Sequence, residues 1–177
     1  MVLAGGYLSP GASVESLAVG ATTFSSGTAA FVYEVDSSAS LSAAADLLVS
    51  NGNLSIGSGS LLEFTDLASV PSAFPQGTKF SLISYDSHTW NGGFFTYSGN
   101  ELANLEIFST GLNQWEIRYD DPVGGVNFTG DQLSGNSVTI TAVPEPAMLA
   151  TLSTLATGAA VLTALGFRRR NRGSRVS

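Results

Sequence analysis

Few side chains in this sequence could do chemistry, and most of those are acidic. There is one histidine, His88, within Asp86-Ser87-His88-Thr89-Trp90, and there are no cysteines. A Ser-His-Asp site would need Ser87 to meet His88, but neighbours on an extended strand point to opposite faces. The segment therefore reads as a polar loop leading into Asn91-Gly92-Gly93. A zinc centre needs several His or Cys ligands, and a single histidine does not supply them. Asp120, Asp121 and Asp131 flank a loop with Gly124, Gly125, Asn127 and Gly130, and oxygens of that kind could hold calcium. The spacing follows neither an EF-hand nor a Gly-Asp nonapeptide, and Asp-Asp-Pro with Gly-Gly is ordinary turn chemistry. A glycosidase would need two carboxylates facing each other across a cleft, and no spacing among the acids marks such a pair. The reading is no catalytic residue, no metal and no cofactor.

Aromatic side chains are the other group with a recognisable use. Trp90, Phe94, Phe95, Tyr97 and Trp115 could stack on sugar rings, with Trp90 and Trp115 as the leading carbohydrate contacts. Their competing role is to fill or cap a β core, and that role is favoured. Charge narrows the partners further. Residues 1–143 carry only Lys79 and Arg118 against thirteen acids. Such a body repels phosphate backbones, which excludes nucleic acid as a partner. It also lacks the cations that enzymes acting on acidic sugars use to hold a uronate.

The elements that must position these residues read as short strands. Between Leu8 and Thr141, runs of β-formers alternate with Gly, Ser, Asn and Asp. The expected strands are Val14–Val19, Phe31–Val35, Asp46–Val49, Asn53–Ile56, Ser60–Phe64, Lys79–Ser84, Leu105–Ser109, Trp115–Arg118 and Ser137–Val143. A short helix of about two turns is the alternative for Leu41–Leu48. The class is all-β. A weak repeat at an offset of 32 residues matches Gly20 with Gly52, Phe24 with Ile56, Ser26 with Ser58, Gly27 with Gly59 and Thr28 with Ser60. Regular short strands with small corner residues suit a solenoid, in which coils stack and bury a continuous core.

The wording of residues 8–143 resembles passenger-like β-strand repeats of exported bacterial proteins, including autotransporter-associated repeats. It does so through Leu8-Ser9-Pro10-Gly11, the 51–59 segment Asn-Gly-Asn-Leu-Ser-Ile-Gly-Ser-Gly, the 77–85 segment and the strand from Trp115 to Asp120. That resemblance implies a right-handed parallel β-helix or solenoid fragment finished by a small β cap. The rival is a two-sheet β-sandwich, which the aromatic-rich half from Phe80 to Phe128 would suit.

The last part of the chain changes character. Ala147 to Phe167 is free of charge, and at about 1.5 Å per residue its twenty-one residues would make a helix of roughly 31 Å, close to a bilayer's hydrocarbon thickness. Pro144 and Pro146 bracket Glu145 just upstream and end the preceding strand. Arg168, Arg169, Arg170 and Arg172 follow the apolar span, and by the positive-inside rule they set a cytoplasmic C-terminus. The small hydroxyl residues of the span form no polar face, and the many Ala and Gly make it a weak anchor. Val143-Pro144-Glu145-Pro146, an apolar span and an arginine cluster, in that order, resemble the PEP-CTERM sorting tail of Gram-negative and related bacteria. The resemblance implies recognition by an exosortase, cleavage near Pro144–Pro146 and an association with the outer surface or exopolysaccharide.

The expected organisation is a β-rich extracytoplasmic body over 1–141 and a sorting tail over 142–177, with a transmembrane helix at 147–167 and a basic end at 168–175. Met1 to Pro10 carries no signal-like segment, so the sequence reads as the C-terminal piece of a longer exported protein or as one with a misplaced start. The expected function is a non-catalytic cell-surface or matrix protein, with the membrane, an exosortase and extracellular polysaccharide as partners. A carbohydrate-binding module on the same tail is second, and an exported polysaccharide hydrolase is third.

Overall fold

The structure is a computed structural model that describes residues 1–144 apart from Ala4, Ser26 and Gly92. The side chains of Val2, Leu3, Trp90 and Asn91 lie outside that description, as do Glu145, Pro146, the 147–167 span and Arg168, Arg169, Arg170 and Arg172. The chain divides into two compact units, Met1–Val143 and Pro144–Ser177. No helix among the described residues is long and apolar enough to cross a membrane.

The first unit is all-β. Its strands are β1 (Val2–Leu3), β2 (Gly6–Leu8), β3 (Ser16–Phe24), β4 (Ala29–Val35), β5 (Leu47–Gly57) and β6 (Leu61–Asp66). They continue with β7 (Lys79–Asn91), β8 (Thr96–Tyr97), β9 (Asn100–Glu101), β10 (Ile107–Thr110), β11 (Asn113–Asp121) and β12 (Asn136–Val143). Two mixed sheets result. One runs β1-β3-β5-β7-β12-β11-β10 and the other β2-β4-β6-β8-β9. Up to β8 the chain alternates between them, and each strand pairs in parallel with its predecessor in the same sheet. From β12 onward the larger sheet is antiparallel, and the smaller one ends in the β8–β9 hairpin.

The repeat seen in the sequence has a counterpart in this register. Phe24 pairs with Ile56 across β3 and β5, and Ile56 in turn pairs with Trp90 of β7. The glycine match slips by one residue, since Gly20 pairs with Asn51 and the ladder shifts before Thr22 meets Leu54. Successive corners stack closely. A methyl group on Gly93 would overlap the Gly57 carbonyl carbon, so only glycine lets these two backbones approach. The Ser26–Ser58 match lies outside the described residues.

The alternative of a short helix over Leu41–Leu48 does not form. A single 3-10 turn occupies Leu41–Ala43, and β5 begins at Leu47. Asp46 decides the outcome, because its carboxylate accepts the Glu15 and Glu34 amides at 2.8 and 3.0 Å and commits the chain to a crossing at that point.

One core lies between the sheets. Alternation places Phe31, Tyr33 and Val35 of β4 inside with Leu54 and Ile56 of β5, and Trp115, Ile117 and Tyr119 of β11 extend the same cluster. Ring contacts link Phe24, Phe31, Tyr33, Phe64, Trp115 and Phe80 with centroid separations between 5.6 and 6.1 Å. Such offset or tilted pairs each add about 0.5–1.5 kcal/mol beyond burial.

The loop between β11 and β12 lies along β7 and is pinned by Asn127, which is fully buried. Its Oδ1 accepts the Ser81 amide at 2.8 Å, and its Nδ2 donates to Asp46 O at 2.7 Å and Ser81 O at 2.9 Å. Replacing Asn127 by Ala strands these buried groups and should cost about 2–4 kcal/mol. Asn127→Asp should cost more at neutral pH, since it sets a carboxylate against carbonyl oxygens. Urea-unfolding midpoints of the two variants check this order; an Asn127→Ala midpoint equal to wild type would show that the loop does not clamp the sheet.

Candidate functional site

Among the described residues, three polar clusters and an open seam offer groups that could act. The first cluster surrounds the histidine. β7 carries Tyr85 inward and His88 three residues further on, while Asp120 sits where the β11–β12 register shifts between Arg118 and Asp121. Asp120 has a left-handed φ of 58°, which turns its carboxylate back toward β7. Its Oδ1 accepts the Tyr85 hydroxyl at 2.6 Å and lies 3.1 Å from His88 Nδ1. Burial, and then the Asp120 hydrogen bond and charge, push the Tyr85 phenol well above its ordinary value. Ser87 does not join this group. Its hydroxyl donates to Asn53 Oδ1 at 3.4 Å, and Thr89 donates to the same oxygen at 3.3 Å. The Tyr-Asp-His group ties β7 to β11, and the serine next to the histidine faces β5.

The second cluster is Asp121. Burial raises its carboxyl, but hydrogen bonds from Lys79 Nζ at 2.9 Å, Val123 N at 2.9 Å and Thr139 Oγ1 at 2.8 Å, together with the Lys79 charge, leave it lowered overall. Asp120 and Asp121 thus serve different partners, and Asp131 is exposed, its amide donating to Phe128 O. Among the described residues no three His, Cys, Asp or Glu are placed to hold a metal ion.

The third cluster, around Asp46, has no counterpart in the sequence reading. Asp46 is fully buried, and burial first, with the Glu34 and Glu15 charges, pushes its carboxyl up to about 6 against the pull of its two amide bonds. The only trace of it in the sequence is an acid heading the apolar run Leu47-Leu48-Val49.

The aromatic candidates separate once burial is known. Trp115 is fully buried, stacked among Phe64, Phe74 and Phe80, with its Nε1 donating to Thr110 Oγ1 at 2.8 Å. It is therefore a core residue and is not available to a sugar, because the strict alternation of β11 turns it inward. Phe95 is also fully buried, and Phe94 packs on Tyr119 at 4.9 Å. The Trp90 side chain lies outside the described residues. Tyr97 lines open space. Two grooves, of about 510 Å³ and 490 Å³, both reach its ring: the first lies among the ends of β4, β6 and β8 and the β10–β11 turn, the second between the β8–β9 hairpin and β10. Phe64, Asp66 and Leu112 line the first groove; Asn100, Glu101 and Glu106 line the second.

Asp46 generates a test in solution. Its folded value of about 6 exceeds the unfolded value of about 3.9, so the folded chain holds this proton more tightly. The stability it contributes is complete below about pH 4 and is lost as pH rises through about 6, by on the order of 2–3 kcal/mol. Asp121 acts in the opposite sense, losing its contribution as pH falls below the ordinary carboxylate value. Unfolding free energy should therefore decline between pH 4 and pH 6.5, and Asp46→Asn should flatten that decline whatever its absolute cost. An unchanged slope in the variant would exclude Asp46 as its source. The chain matches no family model, no curated protein and no solved structure, so the reading of these side chains rests on their own geometry.

Proposed function

We propose that this chain is a non-catalytic, exported bacterial surface or matrix protein whose β body is displayed by a C-terminal sorting tail. One observation carries the non-catalytic reading. Three buried polar side chains are engaged within the fold itself: Asp46 takes two backbone amides, Asn127 takes an amide and donates to carbonyls, and Asp121 closes on Lys79 Nζ, Val123 N and Thr139 Oγ1. Groups engaged in this way are saturated in the resting fold, whereas a catalytic acid or base needs a face directed at substrate.

In this reading the parallel strands are stacked coils of a β-solenoid, and β9 to β12 are the cap that closes it. The alternation of strands between two sheets supports it, as does the in-register stacking of Phe24, Ile56 and Trp90. An unpaired end is an aggregation hazard, and an antiparallel cap is one way to cover it. Duplicating residues 47–78 should then add one coil, lengthening the particle by about 4.8 Å in small-angle scattering while unfolding stays cooperative. A sandwich would be disrupted by the same insertion, and loss of cooperative unfolding would count against stacking.

The tail reading rests on sequence. Val143-Pro144-Glu145-Pro146, the uncharged 147–167 span and the arginines from Arg168 to Arg172 form the PEP-CTERM-like order, with an exosortase and the membrane as partners. In the sequence the basic residues follow the apolar span, where a cytoplasmic flank is needed, and the acidic residues precede it. In a bacterium that possesses an exosortase, deleting Pro144–Pro146 should leave the body in the membrane fraction while the wild-type body appears at the surface or in the medium. Equal release of both would refute sorting by this motif.

A further inference from the structure

The seam at Tyr97 is built more firmly than its exposure requires. β8 and β9 form a two-residue hairpin in which Tyr97 pairs with Asn100 and Thr96 with Glu101. The connecting residues Ser98 and Gly99 both have positive φ, 50° and 82°, the pattern of a turn whose twist matches the strands. Glycine is at ease there and serine is not. Leu105, next to the second groove, is also left-handed at 71°, an unfavourable conformation for a bulky side chain. Thr96 N donates to Ser60 O and Leu102 N to Phe95 O, both at 2.7 Å, so the hairpin is tied to the body at each end. Asp66 is held as well, its Oδ1 accepting the Ser37 and Ala68 amides at 3.1 and 3.0 Å.

We propose that the two grooves joined at Tyr97 bind a neutral linear oligosaccharide. The Tyr97 ring is the stacking platform, and the carboxylates of Glu101 and Asp66 accept sugar hydroxyls on either side of it. The two grooves, about 510 Å³ and 490 Å³, share the Tyr97 ring, and each falls within the size range of small-ligand clefts. Phe64 and Leu112 give an apolar wall for C–H faces, and Tyr97 packs against Phe108 in a tilted ring contact at 5.3 Å, which supports its plane. Charge selects within the class. Three carboxylates, Asp66, Glu101 and Glu106, line the grooves with no lysine or arginine among the lining residues, so a polyuronate or a sulfated glycan is repelled. Hydroxyl groups donate to carboxylates without needing a countercharge. This assignment stands apart from the sorting proposal, because it concerns the folded body wherever that body resides.

The test is calorimetric titration of the full chain in detergent micelles with neutral hexasaccharides (cello-, laminari-, malto- and manno-linked), hexagalacturonate and a glucosamine hexamer. Saturable binding of at least one neutral hexasaccharide, and none of hexagalacturonate, is expected. Tyr97→Ala should weaken that binding by about tenfold or more, while Tyr97→Trp keeps it. Glu101→Gln, on the exposed strand of the hairpin, leaves packing intact and should weaken it by about threefold, which keeps the proposal testable if Tyr97→Ala misfolds. Binding of none of the neutral glycans, binding of the glucosamine hexamer alone, or affinity unmoved by both Tyr97→Ala and Glu101→Gln would overturn it.

Discussion

Four segments far apart in sequence are held together by one chain of hydrogen bonds through Asp46. Its carboxylate accepts amides from Glu15 and Glu34, where the chain enters β3 and crosses β4, and its own carbonyl accepts the Asn127 amide. Asn127 in turn closes on both polar groups of the Ser81 backbone in β7. Parallel stacking creates the need for this. Ladder hydrogen bonds satisfy the strands, but the crossings between sheets leave amides and carbonyls that burial would otherwise orphan. A residue with two acceptor oxygens, placed where two crossings approach, answers two of them at once. The aromatic core depends on the result, because Tyr33 and Phe31 can meet their neighbours only if β4 is seated in this register.

The second constraint is the change from parallel to antiparallel pairing. β7 is flanked by β5 on one side and by the late strand β12 on the other, so the parallel ladder stops there. The cost is irregularity. The register slips between Val138 and Thr139 and again between Arg118 and Asp121. The second slip coincides with the left-handed Asp120, whose carboxylate then reaches Tyr85 and His88. The histidine group is thus a consequence of how the fold turns its last strands, and its position on the ladder follows from packing.

Strand identity was largely legible in the sequence because half-buried strands alternate, and Phe31–Val35, Trp115–Arg118 and Ser137–Val143 all fall within observed strands. Boundaries were less legible. Asp46–Val49 and Asn53–Ile56 are one strand, since Asn51-Gly52 forms a ladder irregularity and not a turn. Polar residues from Asp86 to Asn91 looked like a loop, yet β5 pairs with them and supplies the hydrogen bonds that hydrophobic pattern does not encode. The site fared worse for a related reason. Trp115 and Tyr97 are both aromatic residues on or beside strands, and only the long-range placement of Phe64, Phe74 and Phe80 around Trp115 decides that one is core. Tyr97 ranks behind Trp90 and Trp115 in the sequence, and its grooves are lined by residues from Val35 to Asn113 that only the long-range fold brings together.

The electrostatics of the body extend this point. Its two basic residues are both engaged with carboxylates, Lys79 with Asp121 at 2.9 Å and Arg118 with Glu116 at 2.8 Å. Thirteen acids against these two basic residues leave residues 1–143 with a strong excess of negative charge. A field of one sign reaches roughly 8–10 Å from the surface at physiological ionic strength. Within that distance an anionic polymer is disfavoured at every face, whichever groove it approaches. Selection against acidic glycans is then a property of the whole module, while the shape of the seam at Tyr97 acts only among the neutral ligands that the field admits.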